Sequence, residues 1–169
     1  VESPSVRRTL RRRRIGWDSL AVAVHPEHEW AKRRGPISVE ELAATRLLVR
    51  EPGSGTRETI ENALATNGLS LSVCLVMASN TALKSAALAR MGPVVLSELA
   101  LAPELATGQL SRVQLLDLQL RRPLNAVWRR DEPPSSGVAA LLRAALEGND
   151  RQPPLRDRRY PIDPPANSA

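Results

Sequence analysis

"RLLVREPGSGTRETIENALATNG", residues 46–68, passes from an apolar run through a glycine-rich turn into an amphipathic segment. "RLLVRE" (46–51) has the length and composition of a strand. From Gly55 onward, Ile60, Ala63 and Leu64 share one helical face, and Asn67-Gly68 stops the helix. A strand that turns on glycine into a helix is the unit of an α/β sheet, and the rest of the chain repeats it. "LSVCLVM" (71–77) predicts a buried strand and "SNTALKSAALARMGP" (79–93) a helix capped by Ser79 and ended by Gly92-Pro93. "PVVLSEL" (93–99) predicts a third strand, followed by a short turn at "APELATG". "RVQLLDL" (112–118) and "LNAVWRR" (124–130) are strand-like. "PSSGVAALLRAALEG" (134–148) is the last helix, with Val138, Leu141, Leu142 and Ala145 on its apolar face.

Upstream, "SLAVAV" (19–24) is a β-type run and "HPEHEW" a turn. "ISVEELA" (37–43) opens a short helix in which Ser38 and Glu41 are spaced as a capping box, with Ile37 and Leu42 as a hydrophobic staple. The alternation of strand and helix is that of an α/β domain with a largely parallel sheet. In such sheets ligands bind at the carboxyl ends of the strands, where helices begin. Residues 1–16 show no periodicity and are expected to be an irregular basic segment. The closing stretch from 148 to 169 holds five prolines and many charges, the composition of a disordered tail.

The chain has 169 residues, enough for one domain with a real core. Phe is absent, so that core must be built from Leu, Val and Ala. The net charge of +6 is concentrated toward the ends, in "RRTLRRRR" (7–14) and "RDRR" (156–159), which are expected to be solvated tails rather than a nucleic-acid surface. A single cysteine, Cys74, excludes an internal disulfide, fits a reducing, cytoplasmic compartment, and reads as a buried structural thiol. No apolar run approaches the ~20 residues that span a bilayer, and no signal-peptide pattern opens the chain, which begins with Val.

The turn Pro52–Arg57 is the first candidate site. Glycines at 53 and 55 allow a tight turn and close backbone approach. The first N–H groups of the following helix and its dipole favour an anion. Ser54, Gly55 and Thr56 would offer hydroxyl and backbone donors, and Arg57 a charged fork. The alternative is a plain turn that Ser54 or Thr56 merely caps, and spacing alone leaves both open. A nucleotide P-loop is excluded: position 50 is Arg50 instead of glycine, and position 56 is Thr56 instead of lysine. At the second junction Asn80 and Thr81 could face the same cleft, or Ser79 could simply cap the helix. His25, Glu27 and His28 could bind a metal, but these are the chain's two histidines and no third cluster supports them; a solvated turn is the expectation. The same shortage, with the lack of a G-x-S-x-G elbow, argues against a Ser-His-Asp hydrolase. No cofactor motif is present, and no enzymatic activity is expected.

Taken in order, "SLAVAVHPEHEWAKRRGPISVEELAATRLLVREPGSGTRETIENAL", "ASNTALKSAALARMGPVVLSELALAPELATGQLSRVQLL" and "RPLNAVWRRD" resemble the effector-binding domain of LysR-type transcriptional regulators over roughly residues 17–147. The resemblance implies a type 2 periplasmic-binding-protein-like lobe, the second of two lobes that close on a small-molecule effector, often a carboxylate or other anion. It begins near "WDSLAVAV", at the first of two strands that cross between lobes. The family's helix-turn-helix, linker helix and most of its first lobe have no counterpart here, so the chain is expected to be a truncated sensor module. DNA would be reached only through the absent helix-turn-helix, and the intact protein would be a homo-oligomer. By resemblance, Pro52, Ser54, Gly55, Thr56 and Arg57 line the cleft, with Asn80, Thr81 and the backbone near Gly92 and Pro93 as further candidates. The last helix would pack on the first lobe. The alternative function is a stand-alone anion- or solute-binding module with no role in transcription.

Overall fold

In the computed structural model, residues 10–132 and 134–149 are described. The expected tail from residue 150 on and the first nine residues, with Arg7 and Arg8, lie outside them, whereas 148 and 149 end the last helix. A long strand β1 (Leu10–Val24) is followed by α1 (Glu29–Lys32), α2 (Val39–Ala44), β2 (Leu47–Arg50), α3 (Gly55–Ala65), β3 (Val73–Met77) and α4 (Asn80–Leu88). Then come β4 (Val94–Ser97), α5 (Glu98–Ala106), β5 (Ser111–Val113), β6 (Arg121–Arg129) and α6 (Ser136–Asn149).

The sheet runs β3-β2-β4-β1-β5. β2 pairs in parallel with β3 and β4, and β1 pairs antiparallel with both β4 and β5. Four strands therefore point one way and β1 alone opposes them, which is the mostly parallel sheet expected. Side chains alternate across its faces. Leu20, Val22, Leu47, Val49 and Val95 join Ile60 and Leu64 of α3 and Leu42 of α2 in one core cluster. Ala21, Ala23, Leu48, Val94 and Leu96 join Leu83 and Ala87 of α4 and Leu101 of α5 in the other. Each leucine buried in these layers is worth about 1.5–3 kcal/mol.

Four elements depart from the sequence expectation. The basic run is no tail where it is described: Leu10–Ser19 pairs antiparallel with β6 over its length, interrupted by one register shift between Arg14 and Gly16. β1 is thus one strand with three partners, leaving the lobe along β6 and entering it between β4 and β5. The boundary expected at residue 16 falls inside it. Arg14 and Arg121 stack their guanidinium groups on the Trp17 ring at 5.2 and 5.4 Å, fixing the ribbon where it meets the lobe. The "ELALAPELA" stretch, expected as a strand end and a turn, is helix α5, with Pro103 inside it. The strand expected at 112–118 shrinks to three residues, because Leu115 leaves to bridge Ile37, and Leu118 and Leu120 turn into the core. β3 lies at the sheet edge and is half-buried rather than buried; Cys74 on it is half-exposed and packs against the second core cluster.

On α6, Leu142 and Ala145 are half-buried, whereas Val138 and Leu141 are 47% and 70% exposed. The apolar face expected on this helix is therefore covered only in part. No helix among the described residues is long and apolar enough to cross a membrane.

Candidate functional site

β2 ends at Arg50, and the chain turns through Gly53 at φ +83°, a conformation open to glycine and strained for other residues. Ser54 follows in extended conformation as the N-cap of α3, yet its side chain makes no capping hydrogen bond. Ser38 and Ser79 behave otherwise: each accepts a backbone N–H, from Glu41 and Ala82. The first intrahelical bond of α3 runs from Glu58 N–H to the Ser54 carbonyl. The N–H groups of Gly55, Thr56 and Arg57 precede it and lie at the positive end of the helix dipole. Pro52 is exposed on the turn, and Gly55 is buried.

Thr56 is only 5% exposed, and its Oγ1 accepts a hydrogen bond of 3.0 Å from Arg122 Nη1. Arg122 stands directly opposite Asp18 in the β1–β6 ladder. Its Nε and Nη2 both donate to Asp18 Oδ2, at 2.9 and 2.7 Å, and Ser97 Oγ donates to Asp18 Oδ1 at 2.8 Å. Asp18 and Arg122 are each 6% exposed. Ser97 ends β4 and caps α5, also without a side-chain capping bond, because its hydroxyl goes to Asp18. The chain Ser97–Asp18–Arg122–Thr56 therefore ties the carboxyl end of β4 and both strands of the ribbon to the start of α3. This is the point where the sheet changes hand: α3 leaves β2 on one face and α5 leaves β4 on the other. Crevices at such switch points are where open α/β sheets hold ligands.

The other candidates divide. Arg57 is engaged along its own helix, Nε to Glu61 at 2.7 Å, with Nη1 reaching the Arg50 carbonyl at 3.4 Å. Asn80, the first residue of α4, accepts from Arg50 Nη1 at 2.8 Å, while Thr81 is exposed beside it. Arg50 also clasps Glu51 with two bonds of 2.7 and 2.8 Å, which hold that carboxyl below the ordinary carboxylate value. The structure thus brings Ser54, Gly55, Thr56 and Arg57 together with Asn80 and Thr81 at the carboxyl ends of β2 and β3. Gly92 and Pro93 are not part of that group. They precede β4, at the opposite end of the sheet, where Gly92 borders a pocket of about 280 Å³ with His25, Glu27, His28 and Arg90. There the Pro93 carbonyl accepts Leu48 N–H at 2.7 Å.

Sequence reasoning missed Asp18, Ser97, Arg122 and Arg50. Arg50 lay inside the quoted motif. The others carry no local signal, being joined only by strand register across 104 and 79 residues.

The two histidines serve the backbone. His25 Nδ1 accepts from Glu27 N–H, and His28 Nδ1 caps α1 by accepting from Trp30 N–H, both at 3.1 Å. Burial holds the His28 imidazole below its ordinary value, with Glu29 opposing. Among the described residues, no three His, Cys, Asp or Glu side chains gather as metal ligands. What the α3 start offers chemically is a cluster of hydrogen-bond donors at a dipole's positive end, the chemistry that suits an anionic oxygen.

The family profile of the LysR substrate binding domain matches residues 1–150. An uncharacterized HTH-type transcriptional regulator of Mycobacterium tuberculosis strain H37Rv, Rv2282c, is 40% identical over 133 residues, covering 76% of this chain and 43% of the relative. The chain thus spans less than half the length of that curated relative. Among solved structures, the regulatory domain of Synechocystis CcmR, in complex with 2-PG, superimposes with a TM-score of 0.77 at 24% identity, over 91% of this chain and 74% of that one. The effector-binding domain of QuiR, in complex with shikimate, does so with a TM-score of 0.72 at 16% identity, over 85% and 66%.

Proposed function

The chain belongs to the LysR substrate-binding-domain family, and from that premise we propose that it is the effector-sensing lobe of a LysR-type transcriptional regulator. It takes a small anionic effector at the amino end of α3, between that helix, the start of α4 and the base of the ribbon. Ser54, Thr56 and the N–H groups of Gly55 and Arg57 are the primary receptor; Asn80 and Thr81 form its flank. The observation that carries the reading is the α3 terminus itself. Its N-cap hydroxyl is left out of capping, and its first three N–H groups precede any helical bond.

The family is one of regulator domains rather than enzymes, and the site performs no bond-making step. Its output is mechanical. In the intact regulator, effector binding shifts the relation between this lobe and the elements that continue along β1 and β6, and so the packing of a homo-oligomer on DNA. Such a shift requires that the two arrangements bind effector with different affinity. DNA is contacted by a helix-turn-helix outside this chain.

Calorimetry and amide-shift mapping with 2-PG and shikimate, the molecules bound by CcmR and QuiR, test the site. Shifts centred on Gly55–Arg57 and Asn80, reached only at higher ligand concentration in Thr56→Val, are expected. Shifts confined to the His25–Arg90 pocket would move the site to the other end of the sheet.

A further inference from the structure

The hydrogen bonds that converge on Thr56 have a direction, and that direction decides what the hydroxyl can offer a ligand. Ser97 Oγ donates to Asp18 Oδ1, and Arg122 Nε and Nη2 donate to Asp18 Oδ2. Arg122 then has Nη1 aimed at Thr56 Oγ1, 3.0 Å away. A guanidinium has only donors, so Thr56 must accept from it. The hydroxyl has one hydrogen to give, and no acceptor for that hydrogen is recorded among the described residues. The whole relay is at the ribbon's base, where Asp18 and Arg122 are 6% exposed and Thr56 is 5% exposed, so water does not readily exchange these roles.

We propose that Asp18 and Arg122 are positioning residues that set the polarity of the effector site, fixing Thr56 as a donor so that the site selects a ligand group that only accepts hydrogen bonds, such as a carboxylate or phosphoryl oxygen, over an isosteric amide. The inference rests on the reading of the α3 terminus as the effector site and adds to it a determinant of specificity remote in sequence. An amide nitrogen placed against Thr56 and the helical N–H groups would oppose donor to donor. A pocket of donors rejects such an analogue because its own polar groups are left unpaired. Asp18 takes two of the Arg122 guanidinium's hydrogen bonds, and the arginine acts on the ligand through the orientation of one hydroxyl.

The experiment uses the full chain, with benzoate and benzamide as probes and amide shifts of Gly55, Thr56 and Arg57 as the readout of occupancy. In the wild type, benzoate binds more tightly than benzamide. In Thr56→Val, and in the double variant Asp18→Leu with Arg122→Met, the ratio of their dissociation constants falls by about tenfold. Thr56→Ser retains the ratio. The double variant removes both buried charges together, so it avoids the unfolding that a single deletion invites. A bridge with a merely structural role would lower Tm and leave the ratio as it was, and that result overturns the proposal while the effector site stands. If benzoate moves none of the three amides in the wild type, the site reading fails and this inference fails with it.

Discussion

Arg122 and Asp18 face one another across the ribbon as a cross-strand pair, joined by two hydrogen bonds to one carboxylate oxygen, and both are buried. A buried pair of this kind costs desolvation that its attraction roughly offsets, but removing one member strands the other charge. Asp18→Ala or Arg122→Ala should therefore each destabilise the chain by about 3–5 kcal/mol. Asp18→Leu with Arg122→Met, which replaces both groups with apolar ones of similar reach, should stay near wild type in urea unfolding. Additive losses in the double variant would show that the two residues act separately.

That pair also marks the limit of what the amino-acid order displays. The strand-turn-helix units were legible because their signals are local: the Ser38 cap on α2, the face of Ile60 and Leu64, the glycine turn before α3. The outer half of β1 was not. Arg11, Arg12 and Arg13 are exposed, so no alternation of apolar residues announces a strand, and pairing with β6 holds it extended. α5 was hidden by Pro103, a helix breaker placed near the helix's end, and by the Thr107-Gly108 turn after it. At the site, donors carried on one turn could be read from spacing. The Asp18–Arg122–Thr56 relay depends on a register set by the whole sheet, and spacing carries no trace of it.

Two glycines separate conformational strain from steric contact. Gly53 has φ +83° and open space around a hypothetical Cβ; Gly92 has φ +152°, and a Cβ there would stand 3.3 Å from the Arg46 carbonyl oxygen. Gly53→Ala should cost about 1–2 kcal/mol from backbone strain alone. Gly92→Ala should cost more, because the chain must also shift against β2. Thermal unfolding of the two variants side by side checks the order, and a larger loss at Gly53 would contradict it.

His28 gives the fold an acid-side sensitivity. Its Nδ1 accepts the Trp30 N–H that caps α1, a role open only to the neutral ring, and burial lowers its value below the ordinary 6.5, with Glu29 opposing. Because the folded chain binds this proton less well than the unfolded chain, its stabilising effect is complete above about pH 6.5 and is lost as pH falls toward the lowered folded value. Glu27 and Arg90 pair nearby at 2.7 Å. His28→Asn retains a good N-cap, and its stability should fall less steeply between pH 6.5 and 5. Parallel pH profiles for the two proteins would discount the histidine.

Ser54 and Ser38 occupy the same N-cap position on their helices and should respond oppositely to the same substitution. Ser38 Oγ accepts the Glu41 N–H at 3.2 Å, so Ser38→Ala should cost about 1 kcal/mol of stability and leave ligand binding alone. Ser54 makes no capping bond with its hydroxyl. Ser54→Ala should unfold within about 0.5 kcal/mol of wild type, as a substitution that removes no recorded interaction does. Its effect should appear instead in calorimetry with an anionic ligand, as a loss of roughly tenfold in affinity, the worth of one hydrogen bond to a charged oxygen. A Ser54→Ala chain that binds as before and unfolds earlier would make Ser54 an ordinary cap. The anion would then be held by Thr56 and the backbone of α3 alone.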